Sequence, residues 1–166
     1  MKKVAILACD EYGGIGRMGR LPWPIDSADM KFFKQTTKGS YNNVVIMGRK
    51  TMESLKAIDA FPLPDRDNVV MTCSDQRDEF LIGGMDEVDA YLKGRQPDNA
   101  FVIGGGVIYH ECFQYGFVDE ILITRIPGMY SCDTKISFEL IKESYQLEET
   151  FMIGEGRLTV ERWIKL

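Results

Sequence analysis

Four short runs constrain this chain more than anything else in it: KVAILAC at 3–9, VVIM at 44–47, NVVMT at 68–72 and AFVI at 100–103. None alternates apolar with polar, and the first carries no charge after Lys3. A strand wetted on one face alternates, whereas a strand covered on both faces reads as a continuous apolar run. Such strands require a sheet with helices on both sides, which is an α/β fold. A short helix after residue 48, a helix over 85–93 capped by Asp86 and stopped by Gly94, and VIYHECF at 107–113 supply part of that cover. Phe80–Ile82 reads as a short strand and Val118–Ile126 as a longer one. Tyr145–Ile153 and Arg157–Leu166 form an antiparallel hairpin turning at Gly154-Glu155-Gly156. The expected architecture is a single domain over 1–166. It has a central mixed, mainly parallel eight-stranded sheet, about four flanking helices and a C-terminal antiparallel hairpin.

The chain of 166 residues suits one well-packed domain. A formal net charge of −5 argues against a phosphate-backbone binder, so no nucleic-acid partner is expected. No apolar run approaches the ~18 residues of a membrane span, and the N-terminal stretch turns acidic too soon for a signal peptide. Cys9, Cys73, Cys112 and Cys132 are scattered without C-x-x-C pairing, which suits reduced thiols in the cytoplasm. With His110 as the single histidine, multi-His metal centres are excluded and a Ser-His-Asp relay has little to draw on. Chemistry here falls to carboxylates, hydroxyls, backbone groups or a cofactor; no metal is expected.

The stretch LPWPIDSADMKFFK at 21–34 holds the first candidate. Pro22 and Pro24 forbid regular structure around Trp23, and a helix starts near Asp26 or Ser27. At about 100° per residue, Asp29, Phe32, Phe33 and Thr36 share one face, opposite Lys31, Lys34, Gln35 and Lys38. A carboxylate among aromatics must be paired, protonated or used. Two readings stay open for Asp29: it complements the helix start from the first turn, or it works on a ligand.

Glycine marks the other candidates. Gly13 to Gly19 holds four glycines in seven positions, read as a mobile lid over a site. Its G-x-G-x-x-G spacing runs into Pro and Trp, not into a helix, so it is no dinucleotide fingerprint. Gly48-Arg49-Lys50-Thr51, at the start of a helix after a buried strand, reads either as an anion site by backbone and charge or as two solvated cations in a connection. Gly104-Gly105-Gly106 lets a ligand lie against the backbone before another helix start. Asp29, Arg49, Gly104–Gly106 and Thr124 all fall near carboxyl ends of strands, where ligands bind on such sheets.

These residues carry a family resemblance. Ile15-Gly16, Leu21-Pro22-Trp23, Asp29, Phe33-Lys34, Val45-Ile46-Met47-Gly48-Arg49-Lys50-Thr51, Glu53-Ser54, Pro62-Leu63-Pro64, Arg66-x-Asn68, Ile103-Gly104-Gly105-Gly106 and Tyr109 resemble dihydrofolate reductase in order and spacing. The resemblance implies NADPH-dependent reduction of 7,8-dihydrofolate to tetrahydrofolate for one-carbon metabolism, by a monomer. It implies that Asp29 holds the pterin and promotes protonation at N5, with Trp23 positioning a water and Thr124 sharing the hydrogen-bond network. The carbonyls of Ile6 and Ile103 bracket the ring, with Tyr109 near the nicotinamide. Met30, Phe33, Leu55 and Leu63 form apolar walls, and Arg66 takes the carboxylate of the substrate's glutamate tail. For the cofactor, Ala8, Ile15 and Gly16 lie near the nicotinamide; Gly48, Arg49, Lys50, Thr51, Gly105, Gly106 and Val107 hold phosphates, and Gly104 also binds the cofactor.

The chain departs from the family's pattern in three places. Asp29 lies one residue further from Trp23 than in the commonest bacterial members, which makes Asp26 a rival. Where a hydroxyl often meets the 2′-phosphate, Cys73 stands, flanked by Thr72 and Ser74, so preference for NADPH leans on Arg49 and Lys50. The segment 54–60 diverges around Leu55. Two other readings compete: a related reductase acting on a pyrimidine in riboflavin synthesis, and a nucleotide-binding relative without turnover.

Overall fold

Side-chain alternation survives inside the uncharged runs. In the first strand Val4 and Ile6 face one side of the sheet, while Ala5, Leu7 and Cys9 face the other. Because both faces are covered by helices, both sets are apolar. A computed structural model describes residues 1–166. Its elements in chain order are β1 (Lys2–Cys9), β2 (Gly14–Gly16), α1 (Ser27–Lys38), β3 (Asn43–Gly48), α2 (Arg49–Ala57), β4 (Asp67–Met71), β5 (Leu81–Ile82) and α3 (Met85–Arg95), followed by β6 (Asn99–Gly104), α4 (Gly106–Tyr115), β7 (Glu120–Arg125), β8 (Thr134–Lys135), α5 (Phe138–Ser144), β9 (Tyr145–Ile153) and β10 (Leu158–Lys165).

Eight strands form one sheet in the order β5-β4-β3-β6-β1-β7-β10-β9. The pairs from β5 to β7 are parallel, and β10 runs antiparallel to both β7 and β9. The α/β fold, the mainly parallel eight-stranded sheet and the C-terminal hairpin expected from the sequence are therefore all present. One face carries the larger core, where Val88 and Leu92 of α3, Tyr109 and Phe113 of α4 and Ile141 of α5 pack on the sheet. Met52 of α2, together with Phe32 and Phe33 of α1, covers the other. Ala8 of β1 stands level with Thr124 of β7, so the carboxyl ends of adjacent parallel strands open at one edge.

Three local readings change. Helix α3 is capped by the backbone of Gly84, and Asp86 lies in its first turn as a dipole partner. Gly94 sits inside that helix, and the left-handed stop falls on Gln96 at φ 50°. The glycine loop is not loose along its length. Gly14 and Gly16 pair with Lys135 and Thr134 in a two-stranded ribbon, and the Gly19 carbonyl accepts from Ser54 Oγ at 2.9 Å. Helix α5 and this ribbon were not foreseen; the helix brings the total to five.

Candidate active site

Asp26 settles which aspartate caps α1. Its side chain accepts from the backbone N–H of Ala28 at 2.8 Å and of Asp29 at 3.4 Å. Asp29 is thereby free of the capping role that its place in the first turn allows. Burial pushes its carboxyl above the usual carboxylate range; the Thr124 hydroxyl opposes the shift and the Asp26 charge adds to it. Neither lysine nor arginine pairs with Asp29. A half-buried carboxyl, with one hydroxyl from β7 and no cation, keeps unused capacity to accept hydrogen bonds.

The other candidate residues come from several elements at this edge of the sheet. Trp23 is buried between Ile126 and Leu158, against Ala8 and Ala28, and meets Tyr130 edge-to-face at 5.8 Å. Phe33, Leu55, Leu63 and Ile103 are half-buried around the core of the α1–α2 face, whereas the side chain of Met30 is exposed outside that group. Leu55 thus lies with Phe33 despite the divergence of its segment. Tyr109 is buried and donates to the Ile6 carbonyl at 2.8 Å, tying α4 to β1.

Buried Asn68 fixes the loop before β4. Its amide donates to the carbonyls of Leu63 and Arg66 at 3.0 Å each, and its carbonyl accepts from the Leu63 N–H at 2.9 Å. Arg66 is held there by Pro64 O at 2.8 Å and Thr37 Oγ1 at 2.9 Å. No carboxylate pairs with it, and desolvation pulls its guanidinium below the ordinary arginine value. A half-buried cation with neutral partners alone is a ready receiver for a carboxylate.

On the other side of the edge two helices begin without side-chain caps. Gly48 precedes α2 and Gly105 precedes α4, and neither start has a side-chain hydrogen bond. Their orphan N–H groups, with the positive dipole ends, suit bridged phosphates. The two starts adjoin, since Met47 of β3 is level with Gly104 of β6. Close packing here demands glycine. Gly104 has φ +135°, and a Cβ on it would come within 3.1 Å of Thr51 Oγ1. A Cβ on Gly106 would come within 2.5 Å of Thr134 Cγ2 and 3.7 Å of Ile15 Cδ1, so the glycine ribbon lies directly over this start. Ile15 is half-buried there beside exposed Val107. Arg49 is exposed and reaches Glu53 at 3.7 Å, and Lys50 is exposed without an ion pair. Thr72 and Ser74 share a hydroxyl contact of 3.2 Å around exposed Cys73. The donor set of glycine backbone, two cations and hydroxyls therefore fits an anionic dinucleotide.

Sequence reading missed two groups. Arg77 donates to Ser74 O at 2.7 Å and Glu87 Oε1 at 2.9 Å, which puts a guanidinium beside Cys73. Asp10 is buried and accepts from the N–H of Gly14 at 2.8 Å, Tyr12 at 2.9 Å and Tyr130 at 3.1 Å, and from the Cys132 thiol at 3.6 Å. It ties the end of β1 to the glycine ribbon and to the segment that seats Tyr130 on Trp23. The nearby acid DEYG motif is a sequence signal for a turn, but nothing local marks Tyr130 as its partner.

A family model described as dihydrofolate reductase matches residues 3–155. The chain is 34% identical over 163 residues to a dihydrofolate reductase of Candida albicans, covering 92% of this chain and 84% of that one. It is 40% identical over 145 residues to a bifunctional dihydrofolate reductase-thymidylate synthase of Daucus carota, covering 79% of this chain but 27% of the relative's length. A solved dihydrofolate reductase from Enterococcus faecalis, complexed with NADP(H) and RAB-propyl, superposes with a TM-score of 0.77 at 28% identity. That match covers 99% of this chain and 96% of the other.

Proposed function

The chain belongs to the dihydrofolate reductase family, and on that premise we propose that it reduces 7,8-dihydrofolate to 5,6,7,8-tetrahydrofolate with NADPH, feeding one-carbon metabolism. The observation that carries this reading is Asp29: a half-buried carboxyl with raised proton affinity, one hydroxyl neighbour and no cation. A planar acid of this kind accepts two parallel hydrogen bonds from an aminopyrimidine ring. In this reading Asp29 holds the ring, Thr124 keeps the carboxyl oriented, and Trp23 places a water next to it. Asp29 then favours a proton at N5, the atom beside the carbon reduced.

The remaining residues bind and exclude water. Phe33, Leu55, Leu63 and Met30 wall the substrate, the carbonyls of Ile6 and Ile103 flank its ring, and Arg66 takes the tail carboxylate. Gly48, Arg49, Lys50, Thr51, Gly104, Gly105, Gly106 and Val107 hold the cofactor's phosphates, and Thr72, Cys73 and Arg77 flank its ribose end. Ala8, Ile15, Gly16 and Tyr109 border the nicotinamide, which when bound supplies the hydride. Ile15 and the glycine ribbon close over the reacting atoms and keep the site dry.

In this reading the working unit is a monomer. Four free cysteines fit a reducing compartment, the cytoplasm, and no helix is long and apolar enough to cross a membrane. The net negative charge speaks against a nucleic-acid partner. Arg66, held ready without a carboxylate, favours a substrate with an acidic tail over a pyrimidine lacking one. The test is the fall of NADPH absorbance on adding dihydrofolate. Turnover is expected; tight NADPH binding without turnover would overturn the reading.

A further inference from the structure

Arg157 and Asp26 lie 131 positions apart and meet at the start of α1. Arg157 Nη1 donates to Asp26 Oδ2 at 2.8 Å and Nη2 to Oδ1 at 3.3 Å. The same Oδ1 accepts from the N–H groups of Ala28 and Asp29. Asp26 is therefore at once the cap of the helix that carries Asp29 and the partner of a cation from the hairpin turn.

The turn is shaped to reach this place. Gly154 has φ +61°, and a Cβ on it would come within 2.8 Å of Ala28 Cβ and 3.0 Å of Arg157 Nη2. On either side of the turn Ile153 and Leu158 pack in the cluster that contains Trp23 and Ala28. The β9–β10 turn thus seats on the first turn of α1 and brings a positive charge to a negative one that adjoins Asp29.

We propose that Arg157 is a positioning residue of the active site, which fixes the first turn of α1 through Asp26 and offsets the Asp26 charge felt at Asp29 and at the substrate nitrogen beside it. The proposal rests on Asp29 being the carboxyl that favours the proton. The groups that bear directly on Asp29 are Asp26 on α1, the Thr124 hydroxyl of β7 and the Tyr109 hydroxyl of α4, while Arg157, with Glu155 beside it in the turn, acts on Asp26. Arg157 holds the Asp26 carboxyl below its ordinary value, so at neutral pH both members of the pair are charged. Without Arg157 the surroundings of Asp29 become more negative and a proton is held more tightly. Without the Asp26 charge they become more positive and it is held less tightly. The direction is the same whether the proton resides on the carboxyl or on the ring nitrogen.

The test is the pH dependence of single-turnover NADPH oxidation with dihydrofolate, in wild type, Arg157→Leu, Asp26→Asn and Arg157→Lys. One pH unit above the wild-type midpoint, Arg157→Leu should react about two- to threefold faster and Asp26→Asn about two- to threefold slower, both differences shrinking in strong salt. Arg157→Lys keeps the charge and should follow wild type. Loosening of the helix start alone would move Arg157→Leu and Asp26→Asn in the same direction. Shifts of one sign, or no shift in either, would overturn the proposal. A wild-type protein that does not oxidise NADPH with dihydrofolate would instead overturn the function on which it rests.

Discussion

Asp10 is buried and Asp29 half-buried, and their surroundings drive them in opposite directions. For Asp10, burial by itself raises the carboxyl's proton affinity, but N–H groups of Gly14, Tyr130 and Tyr12 outweigh it and leave the group below the ordinary value. For Asp29, burial dominates over a single hydroxyl, and the group ends above it. The difference lies in the number of donors supplied. A carboxylate ringed by backbone N–H groups has its charge fixed and its lone pairs occupied, so it serves as a fastener. A carboxylate left short of donors stays open to a ligand and poised to share a proton.

Linkage turns this contrast into opposite stability profiles. Asp10, depressed, contributes stability that is present above its ordinary value of 3.8 and is lost as pH falls through the lower folded value. Asp29, raised, contributes stability that is present below 3.8 and is lost as pH rises through the higher folded value. In its charged form Asp29 therefore weighs against the unliganded fold.

The sharpest way to break the comparison is to exchange each carboxylate for its amide. Asp29→Asn should reduce turnover at neutral pH by about 10²-fold or more while leaving NADPH binding close to wild type, measured by stopped-flow and fluorescence titration. Asp10→Asn should reverse the pattern, costing about 2–3 kcal/mol in urea unfolding because an amide cannot accept from all those donors. Its turnover per folded molecule should stay within a few-fold. Arg66→Leu should raise KM for dihydrofolate by about 10-fold or more, through loss of a charge-assisted pair, and spare a truncated pterin without the glutamate tail. Gly106→Ala should weaken NADPH binding by about tenfold, because the added Cβ pushes Thr134 and the ribbon off the α4 start; dihydrofolate affinity should change less. The smallest effect is thermal: at pH 7 Asn at position 29 should raise Tm by about 2–4 °C, a gain that disappears below the ordinary carboxylate range.

Legibility in the sequence followed the range of the interaction. The uncharged runs, the Asp26 cap and the shared face of Asp29 and Phe33 are all written within a few residues, and each was readable before the fold. What escaped depends on partners far along the chain. Asp10 is completed by Tyr130, 120 positions on. The Gly14–Gly16 ribbon pairs with Thr134–Lys135, and neither segment alternates in a way that marks a strand. Glycine density therefore suggested a wholly mobile lid, where the structure fixes its first half under Asp10. Helix α5 is seven residues long and runs straight into β9, too short for its period to show. The proposed roles of the Ile6 carbonyl, Arg66 and the Thr124 hydroxyl come from family resemblance alone, because none of the three has a local signature in the sequence.

The central claim is that Asp29, and not the buried Asp10 or the capping Asp26, handles the proton during dihydrofolate reduction. Loss of NADPH absorbance with dihydrofolate, followed for wild type and Asp29→Asn from acid to neutral pH, tests it most directly. The account predicts wild-type turnover at neutral pH, almost none for Asp29→Asn, and partial recovery of that variant in acid, where the substrate takes its proton from solvent. An Asp29→Asn protein as active as wild type at neutral pH would contradict it.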